Sequence, residues 1–419
     1  MMDFARSDNP LVQAQLDRLG RLSVPQGRFG LETIAALMER LGKPHRALPP
    51  VFHVAGTNGK GSTCAFLRAM LEADGKRVHV TTSPHLVRYN ERIRIAGALV
   101  GDTELAALLA EVLEAGDGLG PSFFEVTIAA AFLAFSREPA DACVVEVGMG
   151  GRFDATNVLQ PEALAVCGIA ALGLDHEKFL LAPEEGVPKE PIARIAFEKA
   201  GIAKQGVPLV TMGESYPWQA RSAIRKVAAD RGAHLLEVHS DEIDAAAGDA
   251  SSLLGTHQVA NLALARAMIR AQAQIAVGEA ALEMGARQTV WPARLQRLAP
   301  GPLAGDRETW LDGGHNPSAG EMVAAHFADR PLHLILGMLD NKDPRALLGP
   351  LGDRVRSLTI VPVPGHDSHP PSAFGPDARA AVNLKEALQG VPSGDYPVLI
   401  AGSLYLAGEA LRLNDEIPD

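Results

Sequence analysis

The 419-residue chain predicts an α/β protein: a mostly parallel sheet followed by a second, smaller α/β unit. Three observations carry this expectation. Short apolar runs alternate with Ala- and Leu-rich stretches of helical length along the whole sequence. The runs are apolar at nearly every position, as strands covered on both faces are, rather than at every second one. The alternation also restarts after residue 290, behind the pair Trp291-Pro292.

The elements follow in order. Residues 50–55 (PVFHVA) read as the first strand, followed by a Gly-rich turn and a helix over about residues 62–74. Residues 77–82 form the next strand, 121–135 a helix, and 142–147 and 163–169 two buried strands. Trp291-Pro292 ends the preceding helix, because proline lacks the N–H and restricts the residue before it. The boundary therefore falls at 290/291, giving regions 1–290 and 291–419. In the second region, residues 309–312, 333–338, 357–363 and 397–401 read as strands and about 318–328 as a helix. The Pro-rich stretch 362–376 reads as an ordered loop.

Composition excludes several classes. Apolar residues make up 47% and charged residues 21%, the balance of an ordinary globular protein. Lys and Arg number 39 against 50 Asp and Glu, a net charge of −11, which argues against nucleic acid or an anionic membrane held by bulk charge. Anionic small molecules stay open, since they need only local cations or helix N-termini. Asp3, Arg6 and Asp8 interrupt the start of the chain, so no secretory leader is expected there. No apolar run reaches the ~20 residues of a membrane span. Cys64, Cys143 and Cys167 are odd in number and far apart; they read as core residues of a cytoplasmic protein.

The chemistry is concentrated in loops that follow strands. Residues 55–62 (AGTNGKGS) join the first strand to its helix. Glycines there let backbone N–H groups face a phosphate at the helix N-terminus, Lys60 adds a charge, and Ser62 is placed for a magnesium contact. The spacing departs from the standard phosphate loop: Val54 stands where a glycine belongs, and Gly61 separates Lys60 from Ser62. Residues 81–92 form a polar loop after the second strand, where parallel sheets bind ligands. Glu146 lies inside an apolar strand and needs a partner or a metal. The glycines after it do not make a dinucleotide fingerprint, since Phe153 occupies the third glycine position. Ser62, Glu146 and His176, at three strand ends, together favour a ligand site over three satisfied core groups. Glu198-Lys199 reads locally as the solvated last turn of a helix stopped at Gly201. Asp312 and His315 share a later strand-to-helix loop, DGGHNP.

In this order, RFGLETI (from Arg28), HVAGTNGKGS, SPHLVRYNERIRI, SFFE, VEVGMGGRFDATN, LDH, FEKAGI, WPARLQ, DGGHNP and GSLYLAGE span nearly the whole chain. The sequence resembles the bifunctional folylpolyglutamate synthase/dihydrofolate synthase family of Mur-ligase-like amide ligases. The resemblance implies a central P-loop ATPase domain followed by a smaller Rossmann-like domain. It implies an ATP-dependent ligase that adds L-glutamate to dihydropteroate, to folates or to both through an acyl phosphate, acting as a cytoplasmic monomer. ATP would lie against Asn58, Gly59, Lys60, Gly61, Asn261, Arg294 and Asp312, and Mg²⁺ (two ions) on Ser62, Ser83, Glu146 and His176. The pterin would lie against Gly30, Leu31, Glu32, Ser122, Phe123, Phe124, Glu125, Arg152, Phe153 and Asp154. Lys60, His315 and Lys199 would be catalytic, Lys199 as a lysine carboxylated by CO₂ that serves the second metal.

Three departures from the family pattern stand out. His176 and Lys199 lie 23 residues apart, more than the family usually has, and the extra length, residues 182–191, reads as a surface loop. Ala293 replaces a common glycine, and Gly314 a common alanine. The alternatives are a Mur-type cell-wall ligase and a P-loop NTPase switch that performs no ligation.

Overall fold

The computed structural model describes residues 6–22, 30–248 and 251–419; Asp3, Arg28 and Phe29, used above, lie outside the described residues. The chain divides into two compact units. The first comprises Met1–Pro84, Tyr89–Ser252 and Gln258–Val290. The second comprises His85–Arg88, Leu253–His257 and Trp291–Asp419, so it takes in two short segments from within the first 290 residues. Leu86 and Val87 explain one of them: both pack against the core of the second unit.

The first unit is built on an eight-stranded sheet. Its strands are β1 (Val51–Ala55), β2 (Val78–Thr81), β3 (Ile93–Ile95), β4 (Ala98–Leu99), β5 (Ala142–Glu146), β6 (Leu164–Ile169), β7 (Pro208–Thr211) and β8 (His234–Glu237). Their order is β4-β3-β2-β5-β1-β6-β7-β8. All pairs are parallel except β2–β3 and β3–β4. The three central strands β5, β1 and β6 are buried along their whole lengths, which is why they are apolar at both parities. The β3–β4 pair was not foreseen, because strands of three and two residues carry too little pattern to be read. Helix Lys60–Ala73 starts earlier than the spacing suggested, directly at the end of the Gly-rich turn.

The second unit carries six strands: β9 (Gln296–Arg297), β10 (Thr309–Asp312), β11 (Leu332–Leu336), β12 (Val355–Ile360), β13 (Arg379–Ala380) and β14 (Val398–Ala401). The order is β13-β12-β11-β14-β10-β9, parallel apart from β9 against β10. Alternation divides the strands' side chains between two cores. Val398 and Ile400 enter one with Leu311 and Ile335, whereas Leu399 enters the other with Leu334 and Leu336. The stretch after β12 is an ordered loop with one short turn, Pro371–Phe374. Among the described residues no helix is long and apolar enough to cross a membrane.

Helix Lys60–Ala73 is held in place by helix Glu279–Gln288 at Gly285, where a Cβ would lie 2.5 Å from the Met70 Cα. Gly285→Ala should therefore destabilise the first unit by about 1–3 kcal/mol, the usual cost of overpacking, despite alanine's better helix propensity. Denaturant unfolding checks this; an unchanged midpoint would show that the two helices are not packed this closely.

Candidate active site

The centre of the site is the turn between β1 and helix Lys60–Ala73. Gly59 caps the helix with φ +82°, and a Cβ there would collide with the Asn261 side-chain oxygen. Asn261 is buried and donates from Nδ2 to Gln258 Oε1 at 2.9 Å, which fixes the orientation of its amide. The structure thus brings Asn261 to the loop from a helix some 200 residues later, about as far along the chain as Asn261 is from Asn58. Thr57 N and Asn58 N both donate to the Ala171 carbonyl, and Thr57 Oγ1 donates to Gly173 O at 3.0 Å. The loop's first half is thereby tied to the exit of β6. The first intrahelical bond runs from Thr63 N to Gly59 O, so the N–H groups of Lys60, Gly61 and Ser62 precede it and have no carbonyl within the helix. Three such donors at a helix N-terminus suit a phosphate.

The parallel register delivers the remaining groups. Val54 in β1 pairs with Glu146 in β5 and with Gly168 in β6, so the carboxyl ends of three adjacent strands open at one level. Glu146 is buried and accepts from Ser83 N, beyond the end of β2, at 3.0 Å. Ser62 is buried at the start of its helix. His176 follows β6 in a left-handed conformation, φ +53°, with its N–H on Asp175 Oδ1 at 2.8 Å.

Lys199 corrects the local reading of its sequence. It is not a solvated helix end: Lys199 is 3% and Glu198 5% exposed. Its Nζ donates to the Gly56 carbonyl of the Gly-rich turn at 2.8 Å. Burial, with the nearby Lys60 charge, lowers its pKa to about 7 against the partial support of Asp175, Asp154 and Glu198. Lys60 itself reaches the Thr57 carbonyl at 3.4 Å.

A second group of expected residues gathers around helix Phe123–Arg137. Helix Glu32–Arg40, which follows Gly30 and Leu31, packs on it and on the turn Ala155–Val158. Ser122 and Glu125 are engaged with each other in a capping box: Ser122 N donates to Glu125 Oε2 at 2.8 Å, and Glu125 N to Ser122 Oγ. Phe124 packs on Gly148, and Phe123 meets the Tyr89 ring edge-on at 6.0 Å. Asp154 is buried and accepts from Met149 N, Thr156 N and Thr156 Oγ1. Burial raises its pKa although those bonds oppose the rise. Arg152 is ion-paired to Glu198 and also to Glu184, a residue of the 182–191 stretch. That stretch is therefore mostly exposed, as expected, but anchored.

In the second unit, Asp312 ends β10 and accepts from Leu295 N at 2.9 Å and Gly314 N at 2.7 Å. Arg294 Nη1 donates to the Ala293 carbonyl, and His315 Nδ1 lies 3.0 Å from Gly313 O. His257 is close enough to Asp312 and Arg294 to feel both charges, although burial is what chiefly lowers its pKa. Sequence reasoning missed His257, Gln258, Asp175 and Glu184. The first three adjoin residues it did single out, which was the available signal; Glu184 had none.

No family model matches the chain. It is 34% identical over 409 residues to the dihydrofolate synthase/folylpolyglutamate synthase of Escherichia coli K12, covering 92% of each protein. The chain belongs to the dihydrofolate synthase/folylpolyglutamate synthase family. It is accordingly an ATP-dependent ligase of the folate branch. It is also 33% identical to a probable bifunctional folylpolyglutamate synthase/dihydropteroate synthase of Halobacterium salinarum, covering 91% of this chain. The chain spans about half the length of that relative, 49%. Among solved structures, the folylpolyglutamate synthase of Mycobacterium tuberculosis complexed with ADP matches with a TM-score of 0.83 at 28% identity, over 98% of this chain and 99% of that one. A bifunctional folylpolyglutamate synthase/dihydrofolate synthase with Mn, AMPPNP and L-glutamate bound matches at 0.81 and 27%, over 97% and 98%.

The Gly59 geometry generates a direct check. Gly59→Ala forces a side chain into the left-handed region, at roughly 1–2 kcal/mol, and displaces Asn261 as well. ADP affinity measured by calorimetry should fall at least about tenfold. Unchanged affinity would mean that this turn does not hold the nucleotide.

Proposed function

We propose that this family member joins the amino group of L-glutamate to the carboxyl of dihydropteroate, of reduced folates, or of both, acting in the cytoplasm as a monomer. The observation that carries the reading is the meeting of a phosphate-type loop, a buried carboxylate and a buried lysine at adjacent strand ends. A carboxylate resists attack by an amine because oxide is not a viable leaving group. Transfer of the ATP γ-phosphoryl to it gives an acyl phosphate, whose leaving group is phosphate. That transfer needs position and charge neutralisation more than covalent help.

The chain's own residues have parts suited to each need. The N–H groups of Lys60, Gly61 and Ser62, with the Lys60 ammonium, neutralise the β- and γ-phosphates. Asn58 and Asn261 border the same loop; Arg294 and Asp312 are assigned to ATP by the resemblance. The three expected substrate segments, Gly30 to Glu32, Ser122 to Glu125 and Arg152 to Asp154, are assigned to the acceptor, with Phe123, Phe124 and Phe153 offering rings to a pterin. His315 stands at a helix start in the second unit and is proposed to serve the glutamate half of the reaction.

The donors fit magnesium. Among the described residues no cluster of three or more His, Cys, Asp or Glu side chains is arranged to hold a metal. What is present is one buried carboxylate, Glu146, which accepts from Ser83 N, and the buried hydroxyl of Ser62 at its helix start, a sparse set of hard oxygens. Magnesium prefers such a set, because it keeps several waters and takes the rest of its ligands from phosphates. Bound there, it would supply charge neutralisation on the transferring phosphoryl group. A second ion is assigned to His176 and to Lys199 as its carbamate. The neutral Lys199 amine adds to CO₂, the new N–C bond forms, and one proton leaves to solvent, giving an anionic oxygen ligand. Burial prepares this step by making the amine available near neutral pH.

Two measurements test the reading. Phosphate release from ATP should require both L-glutamate and a pterin-bearing carboxylate; release without glutamate would favour an NTPase switch, and release with a peptidoglycan precursor a cell-wall ligase. For Lys199, the sign follows from its lowered pKa. Below about 7 the side chain is an ammonium and cannot add CO₂; above it the amine is free. Enzyme stripped of CO₂ should, at equal dissolved CO₂, regain roughly tenfold more activity at pH 8 than at pH 6, the ratio of neutral fractions. Equal reactivation at both pH values would remove the carbamate.

A further inference from the structure

Glu184 belongs to the stretch that lengthens the interval between His176 and Lys199, and its contacts exceed what a surface loop requires. Its two oxygens accept from Arg152 Nη1 at 3.0 Å and Nη2 at 2.5 Å, and one of them also accepts from Arg194 Nη2 at 2.9 Å. Glu198 accepts from Arg152 Nε at 3.1 Å and Nη2 at 2.9 Å, and Arg194 Nη2 lies 3.0 Å from its Oε1. Two guanidinium groups and two carboxylates therefore close a charge-balanced set. Both edges of the Arg152 fork are filled, one by each carboxylate.

The two carboxylates are not equivalent. Glu198 is buried on helix Pro191–Ala200, the helix that carries Lys199, and the Arg152 N–H donates to its backbone carbonyl at 2.8 Å. Glu184 stands on a segment whose neighbours Pro183, Glu185 and Gly186 are exposed. Arg152 holds its carboxyl well below the usual carboxylate range, so it is ionised at neutral pH. The Arg152 guanidinium meanwhile lies over the Phe153 ring, 4.2 Å from its centroid. The edge that Glu184 occupies is thus a complete carboxylate-binding fork on an aromatic platform.

We infer that Glu184 is a specificity-determining residue: by filling that edge of Arg152 with an internal carboxylate, it withholds from the acceptor a cation that a second substrate carboxylate would use. This rests on the proposed placement of the Arg152 to Asp154 segment along the acceptor. Dihydropteroate has only the carboxylate that reacts and loses nothing. A folate, extended at its γ-carboxyl, keeps a free α-carboxylate beside it and loses a partner. Glu184 therefore tilts the enzyme toward dihydropteroate.

The test is steady-state kinetics of the full chain, wild type against Glu184→Gln, with dihydropteroate and tetrahydrofolate as acceptors. The amide keeps the shape and one hydrogen bond but gives up the charge. KM for tetrahydrofolate should fall at least about fivefold relative to KM for dihydropteroate, the scale of one partly buried charge-assisted pair, while kcat changes less than about twofold. Glu184→Ala should move the ratio in the same direction. If both KM values shift in parallel, or neither does, Glu184 merely fastens the loop and the inference is overturned. Wild-type enzyme that turns over neither acceptor would instead sink the proposed function, which separates the two failures.

Discussion

The arrangement of the first unit depends on one buried hydrogen bond, from Lys199 Nζ to the Gly56 carbonyl. A lysine that is 3% exposed is costly unless its charge is compensated or given up. Here compensation is partial. Asp175, Asp154 and Glu198 favour the charged form, but desolvation, helped by the nearby Lys60 charge, outweighs all three. The bond also reaches between parts of the fold that are distant in sequence, since it ties the end of helix Pro191–Ala200 to the turn after β1. The Arg152 N–H on the Glu198 carbonyl ties the same helix end to the loop after β5. A helix terminus thus fastens two of the strand-end loops, and the third, after β6, is fastened to the Gly-rich turn through Thr57 and Asn58.

Strand register does the rest. Because β5, β1 and β6 are neighbours and parallel, Glu146, the Gly-rich turn and the segment leading to Asp175 and His176 leave the sheet at the same end. The polar groups there are few. Glu146 can be buried because it follows an apolar strand at its last position, where a backbone N–H from the next loop reaches it.

Much of this was legible in the sequence, for reasons that differ from element to element. Strands buried on both faces are apolar throughout, so β1, β5 and β6 declared themselves. The Gly-rich turn between β1 and its helix was legible because glycines, a lysine and a serine between strand and helix form a recognisable pattern. Helix boundaries shifted by a residue or two, since caps such as Gly59 act through a backbone angle that composition does not display. Lys199 was misread locally because a charged final turn followed by glycine has the same sequence whether it is buried or not; the family resemblance, and not the residues, marked it. Glu184 was illegible for a deeper reason. Its partners Arg152 and Arg194 sit 32 and 10 residues away, and an acidic residue in a Pro-rich stretch has no pattern that announces a partner.

The two substitutions in the second unit separate backbone from side-chain constraint. Ala293 adopts φ +58°, a conformation that glycine reaches freely and alanine only at a cost of roughly 1–2 kcal/mol. Its methyl group is wholly buried, which returns part of that cost through the hydrophobic effect. The geometry is enforced from both sides: Ala293 N donates to Gln296 Oε1, and its carbonyl accepts from Gly313 N and from Arg294 Nη1. These hydrogen bonds hold Arg294 and the Asp312 loop in one unit at the cost of that strain. Gly314 is the reverse case. A Cβ there would lie 2.7 Å from Asp312 Oδ1 and 2.8 Å from the Ala319 methyl group. An alanine at 314 thus requires this chain's Ala319 or Asp312 to give way, and Asp312 is held by two backbone donors. Where the resemblance implies glycine then alanine, this chain has alanine then glycine. The first exchange adds strain that a buried methyl partly offsets, and the second removes a methyl for which these neighbours leave no room.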